Sequence, residues 1–576
     1  MKVVIVGGVA GGGSAAARLR RLDERAEIVV LERDPYVSFA NCGLPYHIGG
    51  AIAERDSLLL QTPTSLAASL ALDVRVNHEV TAIDRAGKAV EVVNRETGET
   101  YRETYDKLVY CAGADPVRPP IRGLDHPRVH VLRNIPDMDA IIADLDRGAR
   151  RGLVIGGSYI GLEVAEAFRA RGLETVVVEM ADRLMPWMDP EMTRILHYHA
   201  FEHGLDVRLS TAVTAVEDAA GGGVRVALSD GTAVETDVVV LAAGVRPSAG
   251  LAAAAGLALG PRGGIRVDAQ MRTSDPDILA AGDAVETPHV LTGEPVLSML
   301  AGPANRQGRI AAETIAGAPS AYRGTQGTGV VKVFDMTAGG TGLTEAQLRA
   351  EGRAYRKVHL HPNGHSGYYP GTAPMFMKVL FAPGDGRLLG AQIVGWDGVD
   401  KRLDVLAVAL RAGMTVFDLE HLELAYAPPY SSAKDPVNMA GFLGANLLRE
   451  QVHFWYAEDW PDCAGRVTLL DCRTAEERAR WTIEGSLHIP YTELRGRLAE
   501  VPRDRPVWAF CRSGFRSYVA YCVLKHEGWA AATLAGGLMT FHGFHKTPLA
   551  IGQGGMPMIS HAEDVLARRP GAVETV

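Results

Sequence analysis

The stretch that decides the fold is KVVIVGGVAGGGSAAARLRRL, residues 2–22. It joins a run of mostly β-branched residues to a helix rich in alanine and arginine through a glycine turn. Gly7 and Gly12 take the outer places of the pattern G-x-G-x-x-G, Gly11 stands beside them, and Val9 holds the middle place. A pyrophosphate needs bare backbone amides at a helix N-terminus, so the turn predicts a dinucleotide site. A tight strand-to-helix turn without a ligand is the alternative.

Acidic residues at two later strand ends strengthen this interpretation. The strand EIVVLERD reaches Glu32 twenty residues after Gly12, where a carboxylate is placed to accept a ribose hydroxyl.

The segment RGLVIGGSYIGLEVAEAFRARGLETVVVEM, residues 151–180, repeats the pattern. Gly156 and Gly161 hold the outer places, Ser158 the middle one, and Glu179 ends the next strand. Glu179 predicts NADH because it would repel a 2′-phosphate, although an arginine four residues later leaves NADPH open.

Composition limits the class of protein. The 576 residues, 47% of them hydrophobic and 22% charged, predict a globular chain of several domains. The net charge of -9 argues against a nucleic-acid surface, and no apolar run approaches the ~20 residues of a membrane helix. Residues 1–8 run directly into a strand and leave no room for a signal peptide. The six cysteines show neither a C-x-x-C pair nor zinc spacing, so we expect no metal and a reduced, cytoplasmic setting.

Three further turns follow strand-like runs. They are YDKLVYCAGADP with Gly113, TDVVVLAAGVRP with Gly244, and TSDPDILAAGDAVE, in which Gly282-Asp283 precedes an expected helix start. With the two glycine motifs, they resemble the two-dinucleotide-fold flavoprotein disulfide reductases over residues 1–445. The resemblance implies FAD on the first unit, with the Asp283 carboxylate holding the flavin chain, and NADH or NADPH on the second.

The stretch SFANCGLPY, residues 38–46, contains the cysteine expected to carry the chemistry. The redox pair of many such reductases is C-x4-C, but the residue five places after Cys42 is His47. A lone thiol must cycle through a mixed disulfide, a persulfide or a sulfenic acid. The pair Asn41-Cys42 resembles coenzyme A disulfide reductases and NADH-dependent persulfide reductases, whereas NADH oxidases and peroxidases more often place serine before the cysteine.

These two groups of reductases place coenzyme A beside the flavin thiol. Basic residues on the first helix suit the phosphates of the coenzyme, although a solvated helix face is the alternative and the resemblance leads us to expect a neutral amide at position 18. The coenzyme A contacts implied here are Ser14, Arg18, Arg21, Ser38, Asn41 and Lys434.

A third segment resembles the dimerisation domain of these reductases and implies a homodimer. GYYPGTAPMFMKVLF and RLLGAQIVGWDGVDKRLDVLAVALRAGM predict strands followed by a helix. The resemblance implies that Tyr368 in HSGYYPG and Tyr426 in LAYAPPYSSAKDPVN reach the thiol of the partner subunit and protonate a departing thiolate. Packing of Tyr426 against a loop shaped by Pro428-Pro429 is the alternative.

Near the C-terminus, WAFCRSGFRSYVAYCVL places Cys511 between a strand and a helix. Loop amides, the helix N-terminus and two arginines would stabilise a thiolate there. With DCRTAEER and EGSLHIP, this segment resembles the rhodanese sulfurtransferases, which carry sulfane sulfur as a cysteine persulfide. The implied loop consists of Arg512, Ser513, Gly514, Phe515 and Arg516.

A phosphatase and an inert rhodanese-like domain are the two alternatives to sulfur transfer. A phosphatase would need C-x5-R, but Ser517 stands six places after Cys511 and Arg516 comes one place early. Inert rhodanese-like domains usually lack the cysteine. The other four cysteines have no comparable surroundings and are expected to be structural: Cys111, Cys463, Cys472 and Cys522.

The predicted fold is α/β, with two Rossmann-like dinucleotide-binding domains, an α+β dimerisation domain and a C-terminal α/β rhodanese domain. The predicted bounds are 1–115 and 245–320 for the FAD-binding domain, 116–244 for the NAD(P)H-binding domain, 321–445 for the dimerisation domain, 446–464 for a linker, 465–550 for the rhodanese domain and 551–576 for a tail.

The functional hypothesis is reduction of small-molecule or protein persulfides, polysulfides or coenzyme A disulfides by NAD(P)H through FAD and Cys42. Cys511 would transfer sulfane sulfur, and hydrogen sulfide and thiol would be released. An NADH oxidase or peroxidase that cycles Cys42 through sulfenic acid is one alternative. A non-catalytic flavoprotein sensor or sulfur-carrier scaffold is another.

Overall fold

The computed structural model describes residues 1–460 and 462–545. The predicted tail, 551–576, and the last five residues of the predicted rhodanese span lie outside the described residues. The chain divides into two compact units, the first from residues 1–181 and 204–327, the second from residues 182–203 and the chain from 328 onward. Within the described residues, no helix is both long enough and apolar enough to cross a membrane.

The secondary structure of the described residues alternates strands and helices. The helices are α1 (Ala10–Leu22), α2 (Leu44–Ile48), α3 (Pro63–Leu70), α4 (Ile135–Asp146), α5 (Tyr159–Ala170), α6 (Pro190–Glu202), α7 (Gly250–Ala254), α8 (Ala301–Ile315), α9 (Glu345–Ala350), α10 (Val399–Arg411), α11 (Val416–Glu420), α12 (Pro436–Leu448), α13 (Ala475–Arg480), α14 (Phe515–His526) and α15 (Gly537–Phe544). The strands of the first unit are β1 (Lys2–Val6), β2 (Glu27–Glu32), β3 (Asp73–Val76), β4 (His78–Asp84), β5 (Ala89–Asn94), β6 (Thr100–Thr104), β7 (Lys107–Tyr110), β8 (Ala114–Pro116), β9 (Val129–His130), β10 (Arg151–Ile155), β11 (Glu174–Val178), β12 (Leu205–Arg208), β13 (Val213–Asp218), β14 (Val224–Leu228), β15 (Ala233–Thr236), β16 (Val238–Leu241), β17 (Val245–Pro247), β18 (Ile265–Arg266), β19 (Ile278–Ala280), β20 (Val285–Pro288) and β21 (Pro295–Leu297). The strands of the second unit are β22 (Gly329–Val333), β23 (Met336–Gly342), β24 (Arg356–Leu360), β25 (Met375–Phe381), β26 (Leu388–Gly395), β27 (Phe454–Trp455), β28 (Thr468–Asp471), β29 (Leu487–His488), β30 (Val507–Phe510) and β31 (Ala531–Leu534).

Two parallel five-stranded sheets form the first unit. Their strand orders are β19-β7-β1-β2-β3 and β12-β11-β10-β16-β9. Val3, Val4 and Ile5 in β1 are fully buried, as expected for a parallel strand covered on both faces. Three-stranded antiparallel sheets, β4-β5-β6 and β13-β14-β15, accompany them. The predicted pair of dinucleotide-binding folds is therefore confirmed.

The expected helix start after Gly282-Asp283 is wrong. The chain continues into β20, which pairs with β18 and β21, and the next helix begins only at Ala301. The β-branched residues Val285 and Thr287 favour a strand, and antiparallel pairing with β21 satisfies the backbone of that strand. The first sheet still presents Gly282 and Asp283 at the carboxyl end of β19.

The described residues of the second unit form one antiparallel and one parallel sheet. The antiparallel sheet has the order β22-β23-β26-β25-β24, and α10 packs on its strands β23 and β26. The C-terminal sheet has the order β27-β31-β30-β28-β29 and is parallel throughout, which confirms the predicted α/β domain. Its edge strand, Phe454–Trp455, lies inside the predicted linker 446–464. A two-residue strand is too short to give an alternating pattern.

A buried charge cluster joins α6, α9 and β25 in the second unit. The Lys378 ammonium is fully buried and donates hydrogen bonds to Asp189, Glu191 and Glu345 at 2.8, 2.5 and 2.6 Å. Burial alone would lower the pKa of Lys378, but the three carboxylates raise it above its usual value. Lys378 and Lys357 in turn lower the pKa of Glu345 to about 2 against the effect of burial.

Replacing Lys378 with methionine should destabilise the second unit strongly. The change removes the buried ammonium that three carboxylates share, which costs about 3–5 kcal/mol in comparable cases. Calorimetric unfolding should show a lower Tm, and Lys332→Met, an exposed position on β22, serves as the control. Equal effects of the two substitutions would contradict the assigned role of Lys378.

The stability that the depressed pKa of Glu345 provides should be lost as the pH falls from the ordinary carboxyl range toward about 2.

Candidate active site

The two glycine motifs bring helix and strand closer than any side chain allows. A Cβ on Gly12 would lie 1.8 Å from the carbonyl oxygen of Gly7, and a Cβ on Gly161 would lie 1.9 Å from that of Gly156. Gly7 and Gly156 themselves have φ angles of +91° and +113°. Both motifs therefore need glycine for the turn and for the helix that starts behind it.

The helix N-termini behind these turns suit a pyrophosphate. Helix α1 starts after Val9 and α5 after Ser158, and neither N-cap side chain accepts a hydrogen bond from the helix. Neither first turn carries an acidic residue. Their N–H groups thus remain suited to a phosphate ligand, and the residues present fit FAD and a nicotinamide dinucleotide.

Glu32 and Glu179 have a structural role that the sequence analysis missed. Glu32 accepts the Gly8 N–H at 2.8 Å, and Glu179 accepts the Gly157 N–H at 2.7 Å. Each carboxylate thus ties the end of one strand to the neighbouring glycine turn. Burial raises the pKa of Glu32, and backbone hydrogen bonds from Gly8 and Asp34 oppose the rise. Ribose binding by both residues stays a prediction.

Neighbouring strands β7 and β19 bring the predicted Gly113, Gly282 and Asp283 to one edge of the first sheet. The Gly282 N–H donates to Gln307 at 2.8 Å. Burial raises the pKa of Asp283 to about 6, and the charge of Arg133 opposes this effect. The group fits the predicted flavin-side carboxylate. Cys111 lies beside this edge, where burial raises its thiol pKa to about 12, in keeping with a packing role.

Cys42 lies in a short 3-10 turn, Asn41–Gly43, directly before α2. Its N–H donates to the Asn41 side-chain oxygen at 3.0 Å, and both residues are solvent-exposed. Although the residue reaches solvent, the surrounding protein desolvates the thiol and raises its pKa, with smaller contributions from the Glu163 and Asp283 carboxylates. Cys42 is thus a protonated thiol at neutral pH in the protein by itself.

Glu163 and Tyr46 are functional candidates that the sequence analysis did not name. Burial raises the pKa of Glu163, on α5, to about 7, and the Tyr46 hydroxyl donates to its carboxylate at 3.2 Å. The sequence did contain a signal for Glu163. It is an acidic residue two places after Gly161, at the start of a helix where the neighbouring positions are apolar. A carboxyl group that changes charge near neutral pH therefore acts on Cys42.

The predicted coenzyme A contacts divide into two groups. Ser14 and Arg18 lie on α1, where Ser14 is hydrogen-bonded to Asn305 and Arg18 pairs with Glu313 at 2.7 Å. Arg309 also pairs with Glu313. Because Glu313 is shared between two arginines, it neutralises the charge of Arg18 only in part. Arg21, at the end of the same helix, is exposed.

Ser38 and Asn41 follow strand β2 in the first unit, whereas Lys434 is exposed in the second unit. Ser38 has a φ angle of +48°, and its N–H donates to the Gly8 carbonyl at 3.0 Å. A cavity of about 300 Å³ adjoins Ser38, with Gly8, Gly13 and Gln61 among its lining residues. The segment that carries Cys42 is therefore fixed directly to the first glycine turn.

The structure brings the two predicted tyrosines together. The hydroxyls of Tyr368 and Tyr426 lie 3.0 Å apart, and both side chains are exposed. The hydrogen bond from Tyr426 lowers the pKa of Tyr368, while the pKa of Tyr426 itself is raised. Tyr369 instead packs edge-on against His365, with ring centres 5.6 Å apart. Tyr368 is therefore the member of the Tyr368-Tyr369 pair that joins Tyr426.

A cradle surrounds Cys511 at the carboxyl end of β30. Its sulfur accepts hydrogen bonds from the Gly514 N–H at 3.2 Å and from the Ser517 hydroxyl at 3.4 Å. Arg516 forms a two-fold ion pair with Glu477 at 2.6 and 2.7 Å and also interacts with the Cys511 sulfur. Ser517 and Glu477 were not among the predicted loop residues.

The remaining predicted loop residues connect β30 to α14. Arg512 and Ser513 are half-buried, whereas the Phe515 ring is exposed. The carbonyl oxygens of Cys511 and Arg512 accept the N–H groups of Leu538 and Met539 at 2.9 and 3.0 Å. Helix α15 therefore supports the loop from behind.

Family models of known proteins match three segments of this chain. Residues 1–308 match the pyridine nucleotide-disulphide oxidoreductase family, residues 328–436 its dimerisation domain, and residues 457–543 the rhodanese-like domain. The chain belongs to this oxidoreductase family. Its FAD and nicotinamide sites are thereby those expected of a pyridine nucleotide-disulphide oxidoreductase, and the chain is an enzyme of the oxidoreductase class.

Individual relatives of this oxidoreductase cover most of the chain. The coenzyme A disulfide reductase of Staphylococcus haemolyticus is 35% identical over 77% of this chain and 100% of its own length. The reduced CoADR-RHD protein of Bacillus anthracis is 45% identical, with a TM-score of 0.91 over 94% of this chain and 98% of its own. An NAD-dependent persulfide reductase from A. fulgidus is 38% identical, with a TM-score of 0.89 over 94% and 100%.

Replacing Glu163 with glutamine should make the Cys42 thiol easier to ionise. Above pH 7 the Glu163 carboxylate is charged and disfavours the Cys42 thiolate, so its removal should move the midpoint for alkylation of Cys42 to a lower pH. Peptide mass spectrometry after iodoacetamide treatment at graded pH measures this midpoint.

Glu166→Gln is the matched control because it removes the same charge from the same helix, and Glu166 acts on Glu163 and Tyr46 rather than directly on Cys42. Identical alkylation curves for the Glu163→Gln variant and the unmodified protein would show that Glu163 does not control this thiol.

Proposed function

We propose that this oxidoreductase reduces persulfides and coenzyme A disulfides with NAD(P)H, and that Cys42 is its flavin-linked thiol. The observation that carries the proposal is the placement of Cys42 beside Glu163 and Asp283 in a chain that also presents Cys511 in an amide-lined cradle. Two sulfur nucleophiles of different kinds in one chain favour substrates with S–S bonds. The names of the coenzyme A disulfide reductase and persulfide reductase relatives support it.

The chemistry of the bound cofactors is confined to one step. FAD, when bound, would pass an electron pair from NADH to a disulfide at Cys42. Gly7, Gly11 and Gly12 would hold its pyrophosphate, and Gly156, Ser158 and Gly161 that of NADH or NADPH.

The protein's own side chains supply the attacking thiolate and transfer the protons. The Cys42 thiolate attacks the coenzyme A sulfur of a persulfide, which forms a mixed disulfide and releases hydrosulfide. Reduction of that disulfide by two electrons and two protons returns the Cys42 thiol and coenzyme A. Glu163, with a pKa of about 7, is suited to take the proton from Cys42. In the homodimer that the dimerisation domain implies, we assign Tyr368 and Tyr426 the protonation of the departing thiolate.

The coenzyme A contacts belong to the same proposal. We assign them to Ser14, Arg18, Arg21, Ser38, Asn41 and Lys434. Ser38 precedes the Cys42 turn in the first unit and Asn41 begins it, which supports a ligand sulfur reaching Cys42. Because Glu313 pairs with Arg18, phosphate binding there would involve exchange of one charge partner for another.

Cys511 is assigned the uptake of sulfane sulfur. The Gly514 amide, the Ser517 hydroxyl and Arg516 would stabilise the anionic outer sulfur of a Cys511 persulfide. Transfer of that sulfur to the coenzyme A thiol would generate the substrate for Cys42.

Steady-state oxidation of NADH separates the roles of the two cysteines. The FAD-loaded enzyme should oxidise NADH with coenzyme A persulfide and with coenzyme A disulfide, and Cys42→Ser should reduce both rates to background. Cys511→Ser should keep turnover of the small coenzyme A substrates but lose turnover of polysulfide with coenzyme A, because only that route needs sulfur transfer.

Three outcomes would contradict the proposal. Faster NADH oxidation with hydrogen peroxide than with any S–S substrate would identify a peroxidase instead. Full activity of Cys511→Ser with polysulfide would exclude the transfer route, and absence of turnover with every S–S substrate would exclude the reductase.

A further inference from the structure

Cys472 lies directly across from Cys511 in the C-terminal sheet. Strands β28 and β30 are parallel neighbours that pair Leu470 with Ala509 and Asp471 with Phe510. The Cys472 N–H donates to the Phe510 carbonyl at 3.0 Å, which continues this register by one residue and sets Cys472 opposite Cys511.

The spacing of the two strands suits a disulfide. Neighbouring strands lie about 4.8 Å apart. Disulfides form between residues whose Cα atoms are about 4.4–6.8 Å apart.

The two side chains also point to the same face of the sheet. Leu470, Cys472, Ala509 and Cys511 belong to one hydrophobic cluster. Phe510, between the last two, belongs to the cluster on the opposite face. Because residues two apart in a strand share a face, Cys472 and Cys511 approach each other without any change of register. Both are buried, with 0% and 1% of their surfaces exposed.

The surroundings of the two sulfurs differ. Gly514 and Ser517 donate hydrogen bonds to the Cys511 sulfur, whereas the Cys472 thiol itself donates to the Leu470 carbonyl at 3.7 Å. Burial and the nearby Cys511 raise the pKa of Cys472 well above its usual value, and Arg516 opposes this only in part. The site therefore combines a stabilised sulfur at Cys511 with a thiol at Cys472 that keeps its proton.

We propose that Cys472 is a resolving thiol for sulfur carried on Cys511. The Cys472 sulfur attacks the inner sulfur of a Cys511 persulfide and forms the Cys472–Cys511 disulfide. The anionic outer sulfur of the persulfide takes the proton of Cys472, which makes the attacking sulfur a thiolate, and then leaves as hydrosulfide. Two electrons pass from the two cysteine sulfurs to the sulfane sulfur, so no further reductant is needed. The inference rests on the proposed function of Cys511 and revises the expectation that Cys472 is only structural.

Reopening of the disulfide connects this site to the flavin site by chemistry. Two molecules of a small thiol, such as coenzyme A, reduce the protein disulfide by exchange and leave as their own disulfide. The sum of both steps converts one sulfane sulfur and two thiols into hydrogen sulfide and a small-molecule disulfide. Reduction of such a disulfide is the reaction proposed for Cys42, so the two domains would act in sequence through a diffusing product.

The test uses the full-length, FAD-loaded enzyme without NADH and without added thiol. After treatment with a small-molecule persulfide and removal of the excess reagent, the protein should release sulfide in proportion to the sulfur bound on Cys511. Alkylation and non-reducing peptide mass spectrometry should then show a peptide linked through Cys472 and Cys511. This measurement requires no variant.

Variants identify the thiol responsible. Cys472→Val and Cys472→Ser should keep the Cys511 persulfide for at least about ten times longer, with no linked peptide. Cys522→Ser, which removes a half-buried thiol from α14, should behave like the unmodified enzyme. NADH oxidation with coenzyme A disulfide should be unchanged in every variant, which shows that the flavin-linked site is intact.

Each contrary result has one meaning. A stable Cys511 persulfide without a linked peptide in the unmodified enzyme overturns the inference but leaves the proposed function intact. Equal sulfide release by Cys472→Val does the same. Failure of Cys511 to take up sulfur in every form of the enzyme overturns both the transfer role of Cys511 and this inference, while reduction through Cys42 stands or falls by the NADH assay.

Discussion

The absence of side chains at two helix–strand crossings is the constraint on which the first unit depends. The backbones of Gly7 and Gly12 are so close that a Cβ on Gly12 would lie 1.8 Å from a carbonyl oxygen, and Gly156 and Gly161 repeat this within 0.1 Å. Helix α1 can start only there, which sets where its N–H groups point. Because Ser38 is hydrogen-bonded to Gly8, the same crossing also fixes the segment that leads to Cys42.

The surroundings of the two sulfur sites differ in kind. Around Cys42, desolvation and the charge of Glu163 keep the thiol protonated until a substrate or cofactor changes its surroundings. Around Cys511, an amide, a hydroxyl and a guanidinium contact the sulfur directly. Desolvation acts equally on any buried thiol, whereas directed donors act on one atom. The first arrangement suits a thiol that waits for a partner sulfur, and the second suits one that holds sulfur in anionic form.

In the second unit, a buried charge cluster constrains how helices and strands pack. Lys378 donates hydrogen bonds to three carboxylates from two segments far apart in the sequence, and none of these residues belongs to a recognisable motif. Such a cluster specifies one packing of α6, α9 and β25, because any other arrangement leaves charges without partners. Sequence patterns identify apolar faces but carry no sign of which buried charge meets which.

The sequence by itself determined the local chemistry: both glycine turns, the missing partner thiol near Cys42, and a cysteine placed between a strand and a helix at Cys511. These features lie within about 20 residues of chain, where spacing dictates geometry. The prediction of a helix start after Asp283 was wrong, because this segment pairs with a later strand. Only the tertiary structure placed Glu163 next to the Cys42 turn and Cys472 opposite Cys511, because strand order and register, not sequence distance, decide which side chains meet.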